Sequence, residues 1–454
     1  MLKTVASLVA LSVLGVSASA VSERPPAAPP DRVEEIDQRP PVPERQDGIE
    51  KENATEAAKT ATALDAGAEG FSIRSANGAY SLRFRGLVQV DSAFFRNDEK
   101  VPGADSIFLR RARPILEGTV GKIFDFRVTP DFARGKTVLF DAYVDARFHP
   151  LAKVRAGKFK PPVGLERLQS APNIAFIVRA APTLLVPNRD VGVQLHGDLR
   201  GGFLAYALMA SNGTPDGGNV DADTNDGKEF SARVFLHPFR GGHSPRLEGL
   251  GFGLAGTHGS DEGTPTATGL GTYKTPGDLT FFSYRGDGTA PATVVADGKR
   301  TRWTPQAYLY LGRFGFLAEY VSSTQDVRLD AQAASLTQTA WQGSFTILLT
   351  DDTASYRGVD PKKPFEVGKP GRGAVELAVR YSRVDFDEAS FPVFADPAKS
   401  ARRASEMALG ANWWMNRHIR LTLNLERTEF EGGAAGGADR ETESVVLSRF
   451  QVSF

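Results

Sequence analysis

The sequence predicts an all-β protein: a transmembrane antiparallel β-barrel of about 16 strands (16–18), with one loop folded inward as a constriction. Three observations carry this expectation. Apolar and polar residues alternate through most segments after Tyr80. Some turns are very short (Gly121-Lys122, Gly312-Arg313, Asn416 to His418), while other connections are long, polar and glycine-rich (Asn212 to Lys228, Gly259 to Asp278, Ser355 to Gly373, Glu431 to Glu441). The chain closes on VVLSRFQVSF, with Val446, Phe450, Val452 and the terminal Phe454 on one face. A soluble sandwich alternates too, but the polar faces here mix acids and bases as a watery lumen does. In a bilayer every backbone polar group must be paired internally, so an alternating chain there has to close on itself.

The N-terminus sets the compartment. Residues 1–20 combine Lys3, an apolar run from Val5 to Val16, and Ala18-Ser19-Ala20, the pattern of a cleaved export signal. The run is shorter than the ~20 apolar residues of a spanning helix. Residues 21–70 then form an extension of different character. Seven prolines lie between Pro25 and Pro43, and the segment has a net charge of −6, a composition that cannot bury a core. Its second half, 47–70, reads as a short helix. The barrel is expected over 71–454, and it is mildly cationic (+5) although the whole chain sums to zero. Cysteine is absent, which excludes disulfides, thiolate metal sites and cysteine nucleophiles.

Within the barrel the alternation assigns faces. Tyr80, Leu82, Phe84, Val88, Val90 and Phe94 oppose Arg83, Arg85, Gln89 and Asp91. Phe124, Phe126, Val128 and Phe132 oppose Asp125, Arg127 and Asp131. Val138, Phe140, Ala142, Val144 and Phe148 oppose Asp141, Tyr143, Asp145 and Arg147, and Leu421, Leu423 and Leu425 oppose Arg420, Thr422, Asn424 and Glu426. About 380 residues follow position 71, which at roughly 20 to 25 per strand and connection allows 16 to 18 strands, enough for an aqueous channel.

One stretch breaks the pattern. Lys153 to Val191 holds seven basic residues against Glu166 and Asp190, and after Pro161-Pro162 it runs without periodicity until Val191. Loops of that length in compact domains are usually functional. Its apolar centre, Ile174 to Val178, suits a loop tucked into a cavity.

Several segments resemble one family, the phosphate-selective porins O and P. They are SIFLRRARPILEGTV with KIFDFRVTPDF, VRAGKFKPPVGLERL, LVPNRDVGVQLHGDL, NDGKEFSARVFLHPF, ALGANWWMNRHIRLTLNLE and the terminal RFQVSF, spread from about Tyr80 to Phe454. The proline-rich extension matches only loosely. The resemblance implies a 16-stranded homotrimeric porin in the outer membrane of a Gram-negative bacterium, surrounded by its lipids, with arginines and lysines conducting inorganic anions of the phosphate class. The LRRAR cluster at 109–113 could in principle bind nucleic acid, but the export signal and the strand context argue against that partner, and no cofactor is expected.

The candidate anion pathway is Arg83, Arg85, Arg110, Arg111, Arg113, Lys158, Lys160, Arg167, Arg179 and Arg189. Arg110, Arg111 and Arg113 sit where the resemblance places part of the family's arginine ladder. Alternation puts Arg111 and Arg113 with Glu117 and leaves Arg110 on the apolar face. A charge facing lipid at mid-membrane costs about 2 to 4 kcal/mol, so Arg110 is expected near a rim, at a subunit contact or beside a bulge. Lys158 and Lys160 flank Phe159 ahead of the prolines. Glu166 is expected to pair with an arginine of the loop, and Asp190 with Arg189. The competing reading is that these cations only neutralise carboxylates such as Glu117, Asp125 and Asp131. Arginine suits planar, multi-donor recognition of phosphate, whereas lysine acts as a point charge.

Other constellations are weak. Asp221 to Gly227 resembles a calcium loop with its glycine a residue late and no glutamate following at the required spacing, and reads as a solvated acidic loop. The six histidines show no metal spacing, and no hydrolase motif occurs. The alternatives to an anion channel are a general non-selective porin, or a structural barrel whose extension contacts the periplasmic cell wall.

Overall fold

The computed structural model describes residues 62–67, 70–96, 101–223, 225–241 and 244–454. The proline-rich stretch 21–43 and the export signal lie outside the described residues. Two short strands come first, β1 (Ala63–Gly67) and β2 (Gly70–Arg74), paired with each other, with β2 also paired to the start of the barrel. Strand therefore occupies 63–67, where a helix was expected. No local period announces it; β2 is held by Phe71, whose ring packs edge-on against Phe454 at 6.1 Å.

The barrel has sixteen strands. The first nine are β3 (Ser81–Phe95), β4 (Ser106–Val120), β5 (Phe124–Asp131), β6 (Val138–His149), β7 (Ala152–Phe159), β8 (Asp190–Leu199), β9 (Leu204–Ser211), β10 (Glu229–Leu236) and β11 (Leu250–Glu262). A small separate hairpin, β12 (Tyr273–Lys274) and β13 (Thr280–Phe282), lies in the connection that follows β11. The other seven are β14 (Val295–Leu311), β15 (Phe314–Leu329), β16 (Gln332–Leu348), β17 (Ala374–Asp385), β18 (Ala401–Trp414), β19 (Ile419–Gly432) and β20 (Glu443–Ser453). Each barrel strand pairs antiparallel with the next, and β20 closes on β3 from Val445↔Phe95 to Ser453↔Leu87. Phe454 completes the seam by exchanging backbone hydrogen bonds with Gly86. A Cβ at Gly86 would lie 2.4 Å from the Phe454 ring, so the terminal aromatic and this glycine are fitted to each other.

Burial is inverted relative to a soluble domain. Outward Trp303 is 48% exposed and Leu423 48%, whereas inward Arg302, Arg380, Arg420 and Arg449 are each 1% exposed. The alternation thus sorts residues between lipid and lumen. Two bulges change the assigned faces. The register shifts between Gln89 and Val90, leaving Arg110 as the extra residue of β4. A second shift between Thr129 and Pro130 leaves Phe140 unpaired in β6, and Phe140 with Val138 faces the lumen. The expected apolar face of β6 is wrong for these two residues, because one inserted residue reverses the parity of everything beyond it.

Gly121 and Lys122 both have positive φ (62° and 70°), the geometry that lets a two-residue turn follow the strand twist. One long connection lies at the opposite end of the barrel from that expected. Residues 349–373 lie with the short turns: Ala354 N–H donates to Gly312 O at 2.8 Å and Phe365 N–H to Met415 O at 2.6 Å. Chain direction decides this, since β16 runs towards the end where β14 turned into β15.

The lumen is partly filled. The loop 160–189 and the β12–β13 hairpin form an apolar cluster against the inner wall, with Val163, Leu185 and Val186 meeting Phe281, Phe282, Phe386, Val321 and Ala340. Phe282 stacks on Phe386 with ring centres 3.8 Å apart. This filling occupies the side of β15 to β19 and leaves open space along β3 to β9.

Candidate functional site: a cationic cavity beside the inward loop

The open space is a cavity of ≈ 1560 Å³ between the loop 160–189 and the wall of β3 to β9. Fifteen arginines and lysines line it against five aspartates, among the described residues. Arg110, Arg111 and Arg113 come from β4, Arg127 from β5 and Arg155 from β7, while Lys160, Arg167, Arg179 and Arg189 face them from the loop.

The loop has no sheet partner, so its buried backbone groups need other ones. The wall supplies them. Arg380 Nη1 donates to Val178 O (2.8 Å), Asn412 Nδ2 to Ala175 O (2.8 Å), and Arg420 Nη1 to Ile174 O (2.8 Å). Gln451 Nε2 donates to Pro172 O (3.2 Å), and Ile177 N–H donates to Asn424 Oδ1 (2.7 Å). From the other end, Tyr356 Oη donates to Leu165 O (2.6 Å) while its ring stacks on Tyr308 at 4.9 Å. The constriction is thus a fixed element of the wall.

Of the ten cations expected from the sequence, Arg110 lines the cavity as the extra residue of β4, and the other nine divide into three groups. Arg83 and Arg85 both reach Glu117, at 3.6 and 3.5 Å, and Arg127 joins them at 3.5 Å. Arg85 lines the cavity and Arg83 does not. Lys158 is buried against Asp221 and does not line the cavity either, a correction to its expected place. Asp221 is accordingly occupied, and no acidic group with metal-binding geometry occurs among the described residues.

Arg113 and Arg189 line the cavity with a carboxylate beside each. Arg113 Nε is 2.7 Å from Asp131 and Arg189 Nε 2.9 Å from Asp141, and both guanidinium groups lie over Phe140, at 3.9 and 5.1 Å. Asp190 is not the partner of Arg189; it accepts from the Val191 and Gly213 N–H groups. Glu166 likewise pairs with no loop arginine. Its carboxylate accepts from Ala180 N–H (2.8 Å) and lies 3.7 Å from Arg380 of β17, 214 residues away in sequence and so beyond local reading.

The third group has only neutral partners among the described residues. Arg111 bonds Gln89, Lys160 donates to the carbonyls of Leu168 (3.2 Å) and Gln169 (3.0 Å), and Arg179 to those of Glu166 (3.0 Å) and Gln169 (2.8 Å). Arg167 bonds Asn188 Oδ1 (3.2 Å) and Thr183 O. Burial, then the cations Arg189, Arg179 and Arg167, hold the Lys160 ammonium well below the ordinary lysine range. Arg167 and Arg179 are pushed the same way, by burial first; a guanidinium nevertheless remains protonated in proteins. Arg127, Arg155, Arg233 and Arg357 also line the cavity and were not selected from sequence. Alternation flagged Arg127 as inward, but no one-dimensional signal separates the open half of the lumen from the filled half.

A closed sixteen-strand barrel with apolar exterior, polar interior and a fixed inward loop defines an outer-membrane porin channel. The chain belongs to the family of phosphate-selective porins O and P, which matches residues 82–454, and its place is the outer membrane of a Gram-negative bacterium. Its fold is similar to OmpT, an outer membrane protein of Vibrio cholerae (TM-score 0.51, 11% identity, covering 83% of this chain and 98% of that one). It is similar to the outer membrane channel DcaP of Acinetobacter baumannii to the same degree (TM-score 0.51, 11% identity, 83% and 98%). It is also similar to OmpF of Salmonella typhi (TM-score 0.50, 9% identity, 83% and 99%). No curated protein sequence matches the chain.

Proposed function

We propose that this porin is a passive diffusion channel favouring anions, with phosphate or polyphosphate as its substrate class. The observation that carries the reading is the group of cavity-lining cations (Arg111, Lys160, Arg167, Arg179) whose hydrogen bonds go to neutral acceptors. Their charge is uncompensated by contact, so the low-dielectric wall focuses it on whatever passes. Guanidinium N–H groups left over from those bonds are suited to phosphate oxygens. Arg113 and Arg189 contribute less, because each carries an aspartate with it.

The test is the reversal potential of single channels across a potassium chloride gradient, followed by phosphate as a blocker. Anion preference is expected near neutral pH, with phosphate reducing the chloride current. The pH dependence has a definite sign. Lys160 loses its proton earlier than an ordinary lysine, so the preference is present at low pH and declines as pH rises through the range below about 10.4. Lys160→Met should remove that decline. A cation-preferring or neutral wild-type channel would favour the general-porin alternative.

The assembly we propose is a homotrimer. Strands β5, β7, β9 and β10 have 8 residues each, against 17, 16 and 17 in β14, β15 and β16. A lipid-facing strand needs about 9–11, which makes the low wall a natural subunit contact; a monomeric mass in mild detergent would contradict this. Residues 1–20 are proposed as an export signal, and the part of the extension that precedes β1 as a periplasmic segment outside the barrel's stability. A chain lacking residues 21–61 should insert and conduct like the full one; failure to do either would give the extension a structural part.

A further inference from the structure

Behind the inward loop, four adjacent strands place Arg420, Gln451 and Gln89, which do not line the cavity, in one cross-strand row with Arg111, which does, through the register pairs Arg420↔Gln451, Gln451↔Gln89 and Gln89↔Arg111. One step along, Arg449 of β20 pairs with Asp91 of β3. All six face inward. Gln89, Asp91, Arg420, Arg449 and Gln451 are at most 2% exposed and Arg111 9%. The loop covers the row through its Pro172 and Ile174 carbonyls, which accept from Gln451 and Arg420.

The hydrogen bonds of this row do not close. Both Asp91 oxygens are used by Arg449 Nε and Nη2, each at 2.7 Å. Arg111 Nη1 is taken by Gln89 Oε1, and Gln89 Nε2 by Gln451 Oε1. Arg111 Nε, Arg420 Nε and Nη2, and Arg449 Nη1 are buried and have no partner among the described residues. Three guanidinium groups share Asp91 and, beside Arg420, Glu376, which already accepts from Asn412 (3.0 Å) and Trp414 (3.2 Å). One positive charge is in excess even with both carboxylates ionised. An unmet buried donor costs about 1–3 kcal/mol, more when charged, and a buried charge is expected to be paired.

We propose that a small inorganic anion of chloride size binds between the loop and this row, held by the unpartnered N–H groups of Arg420 and Arg449 and reached by Arg111 from the cavity side. Water could satisfy the donors but not the excess charge. The anion is structural: it sits behind the loop, outside the conduction path, and ties the segment around Pro172 to Ile174 to β19 and β20. It requires only that halide reach the site, and so stands independently of the channel's ion preference.

Crystals of the full chain grown in bromide test it by anomalous scattering. The expected result is a bromide peak within hydrogen-bonding reach of Arg420 Nη2 and Arg449 Nη1, beside any peaks in the cavity. Bromide in the cavity alone, or none anywhere, overturns the proposal and assigns the donors to water. In solution, the heating midpoint at which the barrel unfolds on gels should rise by several degrees when gluconate is replaced by bromide at equal ionic strength. In Arg420→Gln that rise should vanish; an equal rise in the variant overturns the site. Should the variant fail to fold, the wild-type diffraction result decides alone.

Discussion

Replacing Arg111, Arg113 and Arg179 together with alanine is expected to reduce the chloride-over-potassium preference by about tenfold and to weaken the block by phosphate. A unit charge about 4 Å from a passing ion is worth about 1 kcal/mol even at the dielectric of water, and about 1.4 kcal/mol is a factor of ten. Three such charges at the differing distances of a passage therefore amount to roughly an order of magnitude. Charges in the wide mouths matter less, since salt screens them over about 8 to 10 Å. Removing Arg113 also exposes Asp131, its partner at 2.7 Å, which pushes selectivity further in the same direction. Unit conductance should rise as the side chains go. The control is Arg83→Ala, because Arg83 does not line the cavity and already shares Glu117; its reversal potential should equal that of the wild type. An unchanged preference in the triple variant would mean that these arginines serve only to neutralise lumen carboxylates.

The second large effect is expected at Arg380. This side chain is 1% exposed, bonds Glu406 through Nε (3.2 Å) and Nη2 (2.5 Å), and lies 3.7 Å from Glu166 and 3.9 Å from Glu426. Through Nη1 it also holds the loop carbonyl of Val178. Alanine here strands three carboxylates and an unbonded carbonyl, and breaking a buried pair in this way costs about 3–5 kcal/mol. The loop should detach from β17, giving larger and noisier single-channel currents, a lower heating midpoint and weaker anion preference. Arg380→Lys keeps the charge without the fork and should fall between. Traces indistinguishable from wild type in both variants would show that the other wall contacts suffice to hold the loop.

Much of the architecture follows from the sequence because its signal is local. Alternation with period two separates lipid from lumen strand by strand, as Leu421, Leu423 and Leu425 against Arg420, Thr422 and Asn424 illustrate. The length and basicity of 160–189 mark an inward loop without any knowledge of its neighbours. Tertiary structure decided the rest, for reasons equally physical. Bulges in β4 and β6 turn Arg110 and Phe140 to the lumen, and a bulge is a property of two paired strands. Chain direction places 349–373 with the short turns. Glu166 meets Arg380 rather than a loop arginine, because an unpaired loop satisfies its groups against whichever wall it is pressed upon. That same contact fills one half of the lumen and leaves Arg111, Lys160, Arg167 and Arg179 facing the other, so which cations line the open half was settled only by the packing of the loop.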